Sequence, residues 1–351
     1  MSDGERRLGA LIRVQPQTDP VGAVTEADAA RRVAAYPTVR VGAPLFGHAL
    51  DLGGGRWQVH GLVDDTPQAA RDALAHRLRE RLAETTDPAV AAELTAVVRV
   101  LDWEKVDQVR VAGRVHRIVR ADTFARFGPD GPEPPRPTDP DPRQADECDS
   151  FLAGDLIADP GAPTGVGEAA LRVELLPAHY PSAGVPAQVY ADSVAAAHSH
   201  PNGVVLPTRY AVAEYVNGAW QPFSRVVATP HLAREDLAFA FRYVHPRINQ
   251  LTDGETAAYE QAAATIEGSR ADEVEVLGHR FRITRVETLL RFSPDGPEGP
   301  RPSDYDPEPP PEAHVAQLRE QGLLPDPDTP TPAAGGGPES DPASVARPVG
   351  P

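Results

Sequence analysis

His198 and His200 stand two residues apart in the stretch His198-Ser199-His200-Pro201. Two imidazoles at that spacing can share a metal ion when they sit on a strand, where alternate side chains point the same way. A catalytic zinc takes three protein ligands and keeps one position open, so a metal-dependent hydrolase built on this pair would need Asp192 or Glu214 as a further ligand. The pair closes an Ala-rich segment that reads as a helix, however, and residues i and i+2 diverge on a helix. A polar helix end, where imidazolium charge complements the macrodipole, is the simpler expectation, and no metal or cofactor is assigned.

Arginines offer a second chemistry. Arg117, Arg120 and Arg126 recur farther along as Arg282, Arg285 and Arg291, beside Asp122 and Glu287, and Arg136 recurs as Arg301. Guanidinium groups brought together from two halves could line a cleft for a small anion or nucleotide, with Arg120 and Arg285 as its donors. The competing expectation is that they pair, inside each half, with the acids of the Pro-rich phrase that follows. Trp57 and Trp220 are read the same way, as core anchors and not as ligand platforms.

Other candidates fall away. The His-Ser-His-Pro stretch resembles the metal motif of the JAMM-type isopeptidases, in which His-x-His is followed after seven residues by Ser and three further by Asp. Thr208 stands at the serine position, but Ala211 replaces the metal-binding aspartate. Cys148 is the single cysteine and lies among Asp146, Glu147 and Asp149, which oppose thiolate formation; it permits neither an intrachain disulfide nor a cysteine zinc site. Lys105 is the only lysine, so no Walker-type loop ending in Lys exists. The Gly-x-Gly-x-x-Ala match at Gly165–Ala170 follows a Pro-rich run and reads as the start of a helix.

What must position these residues is a unit written twice. Val109–Pro142 ("VRVAGRVHRIVRADTFARFGPDGPEPPRPTDPDP") lies over Val274–Pro307 ("VEVLGHRFRITRVETLLRFSPDGPEGPRPSDYDP") with more than half of the positions identical. Upstream, Gly53–Ala75 matches Asn217–Ala238, with Trp57 over Trp220, and Val24–Pro37 lies more loosely over Val189–Pro201. We read this as a tandem duplication.

Each unit opens with an Ala-rich helix that stops at Tyr36-Pro37 or His200-Pro201, because proline disfavours helix in the residue before it. Strands follow at Thr38–Val41 and Leu45–Leu52, and in the second unit at Gly203–Leu206 and Arg209–Val216; a glycine turn then leads to a strand carrying the tryptophan. Thr66-Pro67 and Thr229-Pro230 have the form of an N-cap and a first helical residue. The stripes Ala70, Leu74, Leu78 and Ala233, Leu237, Phe241 mark buried helix faces. A second helix starts at Asp87-Pro88 and buries Val90, Leu94, Val97 and Leu101. Its counterpart spans Gly254–Glu267, with Tyr259, Ala263 and Ile266 inward and Gly268 as its stop. Hairpins close the units: Val109–Val111 with Val115–Arg120, and Val274–Val276 with Arg280–Arg285. The expected fold class is α+β, two tandem units that are each an antiparallel sheet with helices on one face.

Gly128-Pro129-Asp130-Gly131 and Ser293-Pro294-Asp295-Gly296 carry a type I turn pattern. The prolines after them fix φ and remove backbone donors, which favours an extended strap. A floppy linker would not need the same acid and arginine spacing twice. The straps are therefore expected to dock, through Glu133, Arg136 and Asp139 and through Glu298, Arg301 and Asp304. Residues 1–20 read as an N-terminal arm, 21–143 as the first unit and 144–185 as a connector with one helix at Gly167–Leu176. Residues 186–310 form the second unit and 311–351 a tail, with a short helix at Ala313–Gln321 and a disordered remainder.

Composition narrows the function classes. The 351 residues suffice for two modest cores, and the 39 prolines cluster in the two phrases and the tail. A net charge of −17 disfavours nucleic acid and anionic membranes as partners. No apolar run approaches the ~20 residues that span a bilayer, and the N-terminus lacks a secretory pattern, so a cytoplasmic location is expected. An arginine excess with almost no lysine reads as a GC-rich bacterial genome.

The Pro-rich phrase and its second copy, the Thr-Pro-capped helices and the turn Gly53-Gly54-Gly55-Arg56-Trp57 together resemble a family of actinobacterial proteins known only as a domain of unknown function. The resemblance covers about Pro20 to Pro307. It implies a bacterial cytoplasmic setting and brings no activity, substrate or site residues. The expectation is a non-catalytic protein with an interaction, regulatory or scaffold role, whose partners are proteins. A large exposed apolar patch would mark that role, and an arginine cleft free of strap acids would mark the anion binder.

Overall fold

The computed structural model describes residues 12–15, 20–142 and 156–325. Cys148, most of the N-terminal arm and the tail beyond residue 325 lie outside them. The first half runs α1 (Pro20–Ala35), β1 (Thr38–Val41), β2 (Leu45–Gly53), β3 (Arg56–Asp64), α2 (Pro67–Glu84), α3 (Pro88–Trp103), β4 (Gln108–Val111), β5 (Arg114–Gly128) and β6 (Gly131–Pro132). Then come β7 (Leu156–Ala158) and α4 (Val166–Leu175). The second half begins with α5 (Ala187–Ser199), β8 (Asn202–Val216), β9 (Ala219–Pro222) and α6 (Pro230–Phe239). A π-helical turn (Ala240–Val244) leads to α7 (His245–Ile248), followed by α8 (Asp253–Ser269), β10 (Glu273–Val276), β11 (His279–Ser293), β12 (Gly296–Pro297) and α9 (Pro311–Glu320).

The helix starts obey local chemistry. Thr66 Oγ1 accepts from Ala69 N at 3.2 Å, and Thr229 Oγ1 accepts from Leu232 N at 3.2 Å; each threonine precedes a proline that needs no partner for a missing N–H. The stripes Ala70, Leu74, Leu78 and Ala233, Leu237, Phe241 are all buried. On α3, Leu94 and Leu101 are buried with Val98, while Val90 and Val97 pack at the edge of the same cluster.

The two halves share one sheet, where separate sheets were expected. Its strand order is β7-β3-β2-β5-β11-β8-β9, and β5 pairs antiparallel with β11 at the centre. Both central strands run on past the expected ends at Arg120 and Arg285, because beyond those points each has the other as a partner. The helices cover one face. Leu74, Leu94 and Ile118 form the core of the first half, and Leu237, Tyr259 and Phe281 that of the second. On the other face Trp57 and Val59 of β3 cluster with Val204 and Leu206 of β8. Those strands are far apart in the sheet order, so the sheet curls to bring them together.

Three expectations are corrected. The strands foreseen at Gly203–Leu206 and Arg209–Val216 are one strand, β8, which passes through Pro207 where its register against β11 shifts. A bulge tolerates proline because the displaced residue needs no ladder bond. Gly268 does not stop α8; the helix reaches Ser269 and ends at Arg270, which takes φ of 56°. The helix after Thr229 does not stay α-helical. His245 N donates to Ala240 O, five residues back, and this wider turn makes room for Pro246, whose ring would crowd the carbonyl four residues before it. Among the described residues no helix is long and apolar enough to cross a membrane.

Candidate functional site

The paired arginines lie along β5 and β11, and Arg117, Arg120, Arg282 and Arg285 are each held by the Pro-rich segment of the other half. Arg120 N donates to Glu298 O at 2.9 Å, and Arg285 N donates to Glu133 O at 2.8 Å. Arg120 Nε reaches both carboxylate oxygens of Asp304 at 3.0 Å, and Arg285 Nε reaches Asp139 at 3.1 and 3.3 Å. The pairing of Arg120 and Arg285 with the Pro-rich segment's acids, foreseen inside each half, therefore runs between halves, while their contacts to Asp122 and Glu287 stay within one half. The two phrases are identical in the acids that matter, so local sequence could not tell which arginine each would meet.

The strap turns are gripped in the same crossed sense. Arg117 donates to Pro297 O and Arg282 to Pro132 O, each at 3.1 Å. Arg117 lies over the Trp57 ring at 5.2 Å and Arg282 over Trp220 at 4.8 Å. Gly296, with φ of 117°, presses on Trp57 so closely that a Cβ there would lie 2.6 Å from Cζ2. Trp57 is a core anchor as expected, whereas Trp220 is only half-buried.

Burial makes these braces strong and leaves them little spare capacity. Arg120 and Arg291 are each 1% exposed. Asp122 receives Arg120 (a short contact), Arg291 at 2.7 Å and Arg301 at 3.2 Å. Burial alone would raise its pKa, but the three guanidinium groups outweigh that and hold it far below the carboxylate range. Arg301 also pairs with Glu298 at 2.6 Å, as Arg136 does with Glu133 at 2.7 Å. Arg285 further contacts Glu287 and donates to Thr208 Oγ1 at 2.7 Å.

The halves differ at Arg291 and Arg126. Arg291 donates to three backbone carbonyls at the end of α4: Leu176 O at 2.5 Å, Ala178 O at 2.8 Å and Leu175 O at 3.3 Å. Its counterpart Arg126 meets only the Glu174 carboxylate. Beside Arg126 a cavity of about 670 Å³ stays open between α1 and α4, with Ala29, Val33, Leu171 and Val205 on its apolar wall and Arg136 and Arg285 in its floor.

The histidine pair does not converge with its proposed partners. His198 Nδ1 lies 2.7 Å from Val194 O, and His200 Nδ1 lies 2.9 Å from Ser199 Oγ. Asp192 accepts from Ser303 N at 3.0 Å and Glu214 pairs with His279 at 2.7 Å. Among the described residues no group of three His, Cys, Asp or Glu is arranged to hold a metal.

Sequence reasoning missed a different histidine group. His48, His60 and His116 lie on three adjacent strands beneath α2, with the His48 and His60 rings 5.2 Å apart. In the second half Val212 lies opposite Ile283 as His48 lies opposite Ile118, and Phe223 and Phe281 pack together beside it with ring centroids 5.1 Å apart. Among the described residues neither nitrogen of His48 has a hydrogen-bond partner, nor has His116 Nε2. Burial pushes His48 down to about 3, helped by His60, Arg77 and His116, and pushes His116 down to about 4, helped by Arg81, His60, Arg77 and Arg114. The signal available in the sequence was three histidines on strands at positions where the second half carries valine and phenylalanine.

A curled antiparallel sheet with helices on one face and arginine–carboxylate braces across its seam defines an α+β protein. The chain belongs to a family of unknown function, DUF5954, whose family model matches residues 19–334. No curated protein and no solved structure matches it.

Proposed function

We propose that the chain is a tandem duplication folded as a fused pseudo-dimer, with exchanged Pro-rich straps, and that it serves as a non-catalytic cytoplasmic scaffold for protein interaction. The observation that carries this reading is an apolar ridge on the second half's outer helices. Phe239 and Tyr243 stand exposed with ring centroids 5.0 Å apart, and Ile248 beyond them is 74% exposed. At the matching positions of α2 the first half has His76 and Glu80, which pair with each other at 3.3 Å. One copy of the unit keeps a solvated face where the other presents contiguous aromatic and aliphatic surface, as an interaction site would.

The partner is a protein that offers a complementary apolar surface, since the acids nearest the ridge, Glu235, Asp236 and Glu260, already pair with His231, Arg225 and Arg242. An anion site at Arg120 and Arg285 has less support, because Asp304 and Asp139 already take those guanidinium groups. The test is paired capture from cell extract with wild-type protein and a Phe239→Ser, Ile248→Ser double variant of equal melting temperature. A protein held by the first and released by the second supports the reading. The same proteins on both overturn it.

A further inference from the structure

The cleft beside Arg126 has a pseudo-equivalent whose occupant is visible. At Arg291 the occupant is the chain's own peptide: Leu175 and Leu176 pack on Phe124 and Leu289, while their carbonyls and that of Ala178 accept from the guanidinium. A single connector can fill only one of two such sites. At Arg126 the same helix supplies a side chain, Glu174, which is still 36% exposed, and the space beyond stays open.

A similar leucine pair stands after the second Pro-rich segment: α4 ends at Leu175 with Leu176-Pro177 after it, and Leu323-Leu324-Pro325 comes three residues past the end of α9. The two leucine pairs meet opposite fates. Leu175 is fully buried, whereas Leu323 is 68% exposed and Leu324 is exposed beside it. α9 rests against α3 of its own chain, which leaves this leucine pair facing solvent.

We propose that the Leu323-Leu324-Pro325 segment of a second copy of this chain docks in the cleft at Arg126. The leucines enter the apolar wall of Ala29, Val33 and Leu171, and their carbonyls accept from Arg126 as Glu174 swings out to water. Arg319, four residues before Leu323, meets Glu26 and the Glu174 carboxylate that the docked carbonyls release from Arg126, while Glu168 stays with Arg172, which gives the contact its charge match. Two chains of charge −17 repel, so the association is weak and strengthens with salt. The inference stands apart from the helix ridge at Phe239.

Sedimentation equilibrium of the full chain from about 1 to 200 μM, at low and high salt, tests it. Self-association is expected, tighter at high salt, with the dissociation constant raised at least tenfold by Leu323→Asp, Leu324→Asp and likewise by Val33→Glu. Both substitutions fall on exposed side chains, and unchanged melting temperatures confirm that the fold survives them. Mixing the two variants, one with an intact cleft and one with an intact leucine pair, restores association to within a few-fold of wild type. The Phe239→Ser, Ile248→Ser variant associates as wild type does, which separates this proposal from the scaffold reading. A chain monomeric at every concentration, or association indifferent to both the leucine and the Val33 changes, overturns it.

Discussion

Thr123 of β5 lies directly opposite Thr288 of β11, and the pairing opens symmetrically from them: Ala121 faces Leu290 and Ala125 faces Val286. The two hydroxyls nevertheless differ. Thr123 Oγ1 donates to Ala43 O at 2.6 Å, while Thr288 Oγ1 is buried with no partner. In the second half β8 runs straight through the position that frees Ala43 in the first. Thr123→Val should therefore cost about 1 kcal/mol, whereas Thr288→Val should be neutral or stabilising, since it removes an unsatisfied group. Urea denaturation of the two variants measures the difference.

Crossed braces should couple residues that sequence places far apart. Removing Arg120 leaves Asp304 buried without its guanidinium and Asp122 with two of its three, and Arg120→Ala is expected to cost about 3–5 kcal/mol. Asp304→Ala in that background should add much less than it does alone, giving a coupling above about 1 kcal/mol in a double-mutant cycle. Pairing Arg120→Ala instead with Asp139→Ala, the acid of the first strap, should give an additive result.

Glycine at the strap turn is required twice over, by its backbone angle and by the tryptophan against it. Gly296→Ala should destabilise by about 2–4 kcal/mol, from a φ of 117° and the contact with Trp57. Gly131→Ala, equally placed against Trp220, should do the same. Gly254→Ala is the control: nothing lies within 4 Å of its Cβ and its φ is not positive, so a gain of several tenths of a kcal/mol is expected. Thermal melts of the three variants test the ordering.

Acid should unfold this protein through its buried histidines. In the folded chain His48 is held down to about 3 and His116 to about 4, while the unfolded chain protonates them near 6.5. The unfolded state thus binds more protons below that value. Stability is complete above pH 6.5 and falls as the pH drops from there toward 3–4, with His48 alone contributing on the order of 4 kcal/mol. Replacing the pair as the second half does, His48→Val with His116→Phe, should flatten that fall. Denaturation midpoints between pH 7 and pH 4 measure it.

Much of this was readable from residues, for a physical reason. Thr66-Pro67 and Thr229-Pro230 cap helices through contacts three residues long, and the stripes Leu74–Leu78 and Leu237–Phe241 need only a helical period. The two halves carry the same cap and the same stripe at those positions. What escaped depended on long-range choices. Glu133 and Glu298 sit in near-identical surroundings, so nothing local says that each would bond across the seam. Pro207 looked like a strand end because its tolerance there depends on a bulge against β11. The open cleft at Arg126 exists because one connector must serve two similar sites, a property of the assembled fold.

The exchange of straps also sets an order of events during synthesis. Arg120 pairs with Asp304, 184 residues later in the chain. At ~5–20 residues per second a ribosome needs roughly 10–40 s to make that stretch. Throughout that interval the first half holds Arg117, Arg120 and Trp57 ready for a strap that has not yet been made, and its own strap waits for β11. Neither half can finish folding before the other is nearly translated, so the nascent chain commits late and all at once.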